Sequence, residues 1–212
     1  MAAATACALV ASPATAANEA FELWLNPSTA IGIDDDTAVE IETAQRFRSS
    51  SDGRVDTYFA RLWLSQTVTP SATLAVAIER RENDGGNDET RAMQQMSTRH
   101  GILRTRLRLE QRFVDNAGRV GLRLRPRLGI GVPLDEAGRW SGKADAELFL
   151  TLASTRPGGS DGLTGLRTQI GVSHAISDRF QLGLAYLRQQ DFEDGGPDEI
   201  AHAPLLIIEA AF

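Results

Sequence analysis

Residues 104–113 read RTRLRLEQRF. Successive side chains of an extended chain point to opposite faces. Arg104, Arg106, Arg108, Glu110 and Arg112 therefore share one face, and Thr105, Leu107, Leu109, Gln111 and Phe113 share the other. Residues 120–130, VGLRLRPRLGI, repeat the pattern, with Arg123, Arg125 and Arg127 opposite Val120, Leu122, Leu124, Leu128 and Ile130. Two folds accommodate such strands. Either the charge faces water around a leucine-packed core, or it lines an enclosed wet interior while the leucine rows face lipid.

In a membrane the choice of face is forced. Each Arg at the bilayer midplane costs about 2–4 kcal/mol, so turning the seven arginines of these two stretches toward hydrocarbon would cost about 14–28 kcal/mol. That exceeds the ~5–15 kcal/mol that holds a typical domain together. A membrane barrel must turn its guanidinium groups inward.

Alternation of the same kind recurs along the chain, at roughly 21–32, 38–48, 55–67, 73–82, 98–113, 119–131, 143–153, 163–175, 179–190 and 204–212. The stretches are separated by turn-forming clusters such as DDDT (34–37), SSSDGR (49–54), TPSA (69–72), VDNAGR (114–119) and ISDR (176–179). Many run well beyond the five or six residues common in soluble sheets and match the ~9–11 residues of a tilted transmembrane strand. The expectation is all-β: a single antiparallel up-and-down transmembrane β-barrel of about ten strands, within a range of 8–12. Residues 82–97, ENDGGNDETRAMQQMS, read as a long loop with a helical turn or two over 89–97. Counted back from the terminus, that places a long loop among the short turns, whereas barrels of this type segregate the two. Either one strand in the middle is miscounted, with 129–145 and 153–163 the most suspect regions, or this barrel does not follow the loop-length trend. Pro126 removes a ladder donor and predicts a bulge or bend in its strand.

Composition narrows the function classes. Lys plus Arg is 22 against 28 Asp plus Glu, a net charge of −6, so no overall basic field recommends a nucleic-acid partner. Lys143 is the only lysine, a bias toward arginine that suits fixed, multidentate ion pairs. Residues 1–16 read as a signal peptide ending at Ala14-Thr15-Ala16, although no basic residue opens it. The barrel then spans 17–212. Cys7, the only cysteine, falls in the leader, so the mature chain is expected to have no disulfide or thiolate site. The last strand ends PLLIIEAAF, with Leu206, Ile208 and Ala210 on the parity of Phe212. An amphipathic final strand with a terminal aromatic resembles the signal by which bacterial outer-membrane barrels engage their assembly machinery. The expected location is the cell outer membrane, with its lipid and that machinery as partners.

FELW (21–24), LRTRLRLEQRF (103–113), ADAELFL (144–150) and FQLGLAYLRQ (180–189), with Gly183, Tyr186 and Gln189, resemble domain-of-unknown-function family 2490. The resemblance covers nearly the whole mature chain. It implies a small barrel in the bacterial outer membrane and no established activity.

With the faces so assigned, Arg104, Arg106, Arg108, Glu110, Arg112, Arg123, Arg125 and Arg127 are the candidate pore-lining or ligand residues. Glu40, Glu42, Arg46, Arg48, Arg61, Glu79, Arg81, Asp145, Glu147, Arg167 and Gln169 are expected in the same lumen. The leading expectation is a self-satisfied, salt-bridged plug in a structural or passive barrel. A narrow anion-selective channel or small-solute pore is the alternative within the membrane, and a secreted soluble barrel around an apolar ligand is the alternative outside it. No enzyme is expected: among His100, His174 and His202 no Ser–His dyad forms, since Ser173 and His174 are strand neighbours on opposite faces. No cofactor or metal motif is present, the acidic runs at 34–36 and 191–199 being ordinary solvated turns. Trp24, Trp63, Trp140, Phe180 and Tyr186 are expected in aromatic belts at the membrane interfaces.

Overall fold

The alternating stretches form long strands. The computed structural model describes residues 17–48 and 56–212; the expected signal peptide and the SSSDGR turn lie outside the described residues. Eleven strands follow one another: β1 (Asn18–Gly32), β2 (Thr37–Arg48), β3 (Thr57–Thr69), β4 (Ala72–Asn83), β5 (Glu89–His100), β6 (Leu103–Val114), β7 (Gly121–Pro133), β8 (Trp140–Ala153), β9 (Gly162–Ala175), β10 (Phe180–Asp191) and β11 (Glu199–Ala211). Each pairs with its sequence neighbour antiparallel, and β1 closes the barrel against β11. An odd number of up-and-down strands forces this last pair to be parallel, with Asn18 beside Glu199 and Ala30 beside Ala211.

The count lies within the expected range, and the extra strand is β5, not a further element within 129–145 or 153–163. In the sequence, residues 89–97 read as loop and helical turn and 98–100 as the start of the strand that follows. ETRAMQQMSTRH is rich in helix formers, but two flanking strands supply a ladder along its length, from Ala72↔Thr98 to Arg81↔Glu89 on one side and from Glu89↔Val114 to His100↔Leu103 on the other. Tertiary pairing overrides weak local propensity. The new strand also settles the loop lengths. Connections at 33–36, 70–71, 101–102, 134–139 and 176–179 lie at one end, and the mostly longer ones at 84–88, 115–120, 154–161 and 192–198 lie at the other. Pro126 produces no bulge: it sits opposite Leu107 in an unbroken β6–β7 register, and the β7–β8 irregularity falls at Leu122/Arg123.

Turn chemistry fits the short end. Gly101 takes a positive φ of 58° in the two-residue turn between β5 and β6, a conformation glycine adopts without steric cost. Asp34 accepts N–H bonds from Asp36 and Thr37 at 2.9 and 2.7 Å. Those bonds hold its carboxyl below the usual carboxylate range.

The barrel is inverted relative to a soluble globule. Leu62, Leu64, Leu74, Val76, Ile78, Leu107, Leu128, Leu148, Ile170, Leu184 and Leu206 are all exposed on its outer wall. Glu79, Arg91, Arg108, Glu110, Arg125 and Glu147 are buried inside it. Polar outward residues pair across strands: Gln94 and Gln111 exchange two side-chain bonds, and the Thr98 and Thr105 hydroxyls are 2.7 Å apart. Aromatic contacts mark both rims. Trp140 stacks on His174, and Phe180 meets Phe212 edge-on, near the short turns; Phe21 and mid-strand Tyr186 flank His202, and Phe47 meets Tyr58, near the longer loops.

Candidate functional site: the barrel interior

The interior has two halves. Toward the longer loops it is filled by carboxylates ringed with arginine. Glu147 on β8 has no exposed surface and accepts from Arg125 Nη2 at 2.7 Å and Arg127 Nη2 at 3.1 Å, and also from Arg106; Arg167 Nη1 stands 3.8 Å away. Glu110 on β6 accepts from Nε and Nη2 of Arg123 at 2.9 and 2.7 Å, and from Arg125 Nη1 at 2.7 Å. Arg125 thus bridges the two carboxylates. Farther round the wall, on β4, Glu79 is held by both Arg61 and Arg81, with Arg91 Nη1 at 3.5 Å. Glu89 takes Arg91 and Arg112 at 2.6 and 2.5 Å, and Arg61 Nη1 reaches Glu42 at 2.6 Å. The planar guanidinium fork suits such multidentate sharing.

Aromatic rings complete this half. Arg46 lies 3.8 Å from the centroid of Trp24, and Arg167 reaches the same ring from β9 at 5.0 Å. Arg108 stands 4.9 Å over Trp63, joining β6 to β3 across the lumen. Phe149 is approached by Arg123, Arg125 and Arg167 at 4.7–5.2 Å. Guanidinium over an aromatic face is attractive by about 0.5–2 kcal/mol. Trp24 and Trp63 are therefore not belt residues: they are buried in the lumen, as their parity with Glu22 and Arg61 requires. Trp140 and Phe180 lie on the outer wall near the short-turn rim, whereas Tyr186 lies on the outer wall at mid-strand.

Toward the short turns the interior opens into a vestibule of about 850 Å³. Small residues make the room, among them Ser97, Gly129, Gly131, Ser141 and Ser173. A narrower space of about 240 Å³ beneath it is lined by Arg46, Arg61, Arg106, Arg108, Arg125 and Arg167, with Glu40, Glu42 and Lys143.

The eight candidates therefore divide. Arg106, Glu110, Arg112, Arg123, Arg125 and Arg127 belong to the ion-paired network. Arg108 makes its hydrogen bonds to Gln95 Oε1, at 2.9 and 2.7 Å, with Glu110 4.0 Å away. Arg104 is exposed at the vestibule, forms no ion pair among the described residues, and lies over Gly131. Reading 82–97 as a loop hid Glu89, Arg91 and Gln95, joining 98–113 into one strand put Arg99 on the wrong face, and parity alone would have found Phe59 and Phe149 beside Arg61 and Glu147. Ser173 shares a hydrogen bond with Ser141 at 2.8 Å, while His174 faces outward against Trp140. No group of three or more His, Cys, Asp or Glu is placed to hold a metal among the described residues. Phe212 ends the chain at the short-turn rim, donating to Ala30 O and accepting from Gly32 N–H.

Fold and interior together define a closed up-and-down β-barrel with an apolar wall and an arginine–glutamate filling. The family model described as "Protein of unknown function (DUF2490)" matches residues 21–200, and the chain belongs to that family. A search of curated proteins finds no match. A solved structure reported under the words "Unveiling the Mechanism Behind the in-meso Crystallization of Membrane Proteins" is similar at 12% identity and TM-score 0.45, over 85% of this chain and 78% of that one. At that level of likeness the fold assignment stands on this chain's own geometry.

Proposed function

We propose that the protein spans the bacterial outer membrane as a small, non-conducting barrel with a structural or passive role. One observation carries the reading: the arginine rows turn inward onto buried carboxylates beneath an outer wall of exposed aliphatic side chains. In water that wall would be a very large apolar patch, whereas soluble monomers rarely expose more than a few hundred Å² in one piece. In a bilayer it is the surface lipid requires. Outer-membrane lipid is then the partner of the wall, and the final strand with Phe212 the part read by the assembly machinery. By the loop-length trend the short turns and the vestibule face the periplasm.

The cross-lumen contacts of Arg108 with Trp63 and of Arg167 with Trp24, together with carboxylates that have no exposed surface, support a closed interior over an open channel. Membrane fractionation with heat-modifiable migration in detergent gels tests the location; recovery in the soluble periplasm would defeat it and favour a secreted barrel. Planar-bilayer recordings test the closure. No discrete openings are expected, and anion-selective steps would replace the passive reading with a pore.

A further inference from the structure

The register sets four arginine pairs directly opposite one another: Arg91↔Arg112, Arg99↔Arg104, Arg106↔Arg127 and Arg108↔Arg125. Like charges directly opposite in a sheet repel. In three pairs a glutamate relieves this. Glu89 binds both Arg91 and Arg112, Glu147 binds both Arg106 and Arg127, and Glu110 binds Arg125 at 2.7 Å with Arg108 4.0 Å away. Neither Arg99 nor Arg104 forms an ion pair among the described residues, and both line the vestibule.

A third cation stands beside them. The side chain of Arg104 crosses Gly131, where an added Cβ would fall 2.6 Å from its Nε, and Gly131 lies directly opposite Lys143. Lys143 is half-buried, lines the same vestibule and likewise forms no ion pair among the described residues. Two carboxylates share this space, Asp145 at 3.6 Å from Arg127 and Glu209 accepting from Gln181 at 2.6 Å; both attract Lys143, and neither forms an ion pair with it, Arg99 or Arg104 among the described residues.

We infer that Arg99, Arg104 and Lys143 form a binding site for a multivalent anion, of phosphate or polycarboxylate chemistry, that takes the place glutamate holds in the other three pairs. The volume suits a small molecule, since ligand pockets run about 300–1,000 Å³. Arg99 and Arg104 supply the forked donors that phosphate and carboxylate accept in pairs, and Lys143 supplies a point charge on the far side. The site adds a ligand to a barrel proposed above to be passive, and it does not depend on whether the lumen conducts.

The test is calorimetric titration of the full barrel in zwitterionic detergent, with inorganic pyrophosphate and, separately, citrate as probes. Saturable binding that weakens with added salt is expected for at least one of them. The double variant Arg99→Gln/Arg104→Gln should weaken it at least tenfold. Gly131→Ala, which displaces Arg104 without removing charge, should weaken it several-fold. The double variant Arg119→Gln/Arg156→Gln, an equal loss of charge in the loops at the other end, should leave it within twofold. Heat-modifiable migration checks that each variant is folded. Phosphatidylglycerol added to the micelles separates the sources: competition identifies a lipid headgroup phosphate, its absence a soluble anion, and either agrees with the site. No saturable binding of either probe by the folded barrel overturns the inference, as does a double variant that binds as tightly as the wild type.

Discussion

The two halves of the lumen use the same residue to opposite ends. Toward the longer loops arginine is structural: Arg61, Arg81, Arg123 and Arg125 are fixed by carboxylates and aromatic rings. Toward the short turns Arg99 and Arg104 project into open space with no such partner among the described residues. What separates the halves is the supply of buried glutamate and the size of neighbouring side chains. Where a strand offers Glu79, Glu110 or Glu147 the interior closes; where it offers Ser97, Gly131, Ser141 or Ser173 it stays hollow.

Removing a hub carboxylate should break the closed half most severely. Glu147→Ala leaves Arg106, Arg125 and Arg127 without their shared partner, and stripping one member from a buried ionic set costs about 3–5 kcal/mol. A large fall in the urea midpoint of refolded barrel in detergent checks this; a midpoint unchanged from wild type would contradict the hub role. Moving an arginine to the other face is the next largest effect. Leu107→Arg should cost about 2–4 kcal/mol in a bilayer, read by the same titration in lipid vesicles, and it would be harmless if Leu107 faced water. Trp63→Ala removes the ring beneath Arg108 and should lower stability by about 0.5–2 kcal/mol through the lost cation–π contact, plus the packing that goes with the indole. In the open half, Arg104→Ala should change stability by no more than about 0.5 kcal/mol. A drop comparable to that of Glu147→Ala would mean that the halves do not differ.

Much of this was legible before any coordinates. RTRLRLEQRF and VGLRLRPRLGI announce their faces because arginine tolerates only one side of a membrane strand, and their side chains lie where alternation places them. β5 was not legible. Its outward residues Thr90, Ala92, Gln94, Met96 and Thr98 are scarcely apolar, and its composition favours helix, so its strand character comes from β4 and β6. Reading 82–97 as loop concealed Glu89 and Arg91, and reading 98–113 as one strand concealed the turn at 101–102 and the pairing of Arg99 with Arg104 across it. The lumen tryptophans were misplaced for a different reason: residue type suggested a belt, whereas parity with Glu22 and Arg61 already pointed inward. Which arginines lack a carboxylate depends on register between strands, and no single stretch of sequence encodes it.

The inverted barrel is tested most directly by spin-label accessibility in lipid vesicles. Single cysteines would be placed on a Cys7→Ser background at outward Leu74, Val76, Ile170 and Val172 and at vestibule positions Thr73, Ser97, Ser141 and Ser173. Oxygen, which partitions into hydrocarbon, should relax the first four labels, and a water-soluble nickel chelate the second four. The opposite assignment, or no alternation between neighbours such as Thr73 and Leu74, would contradict the account.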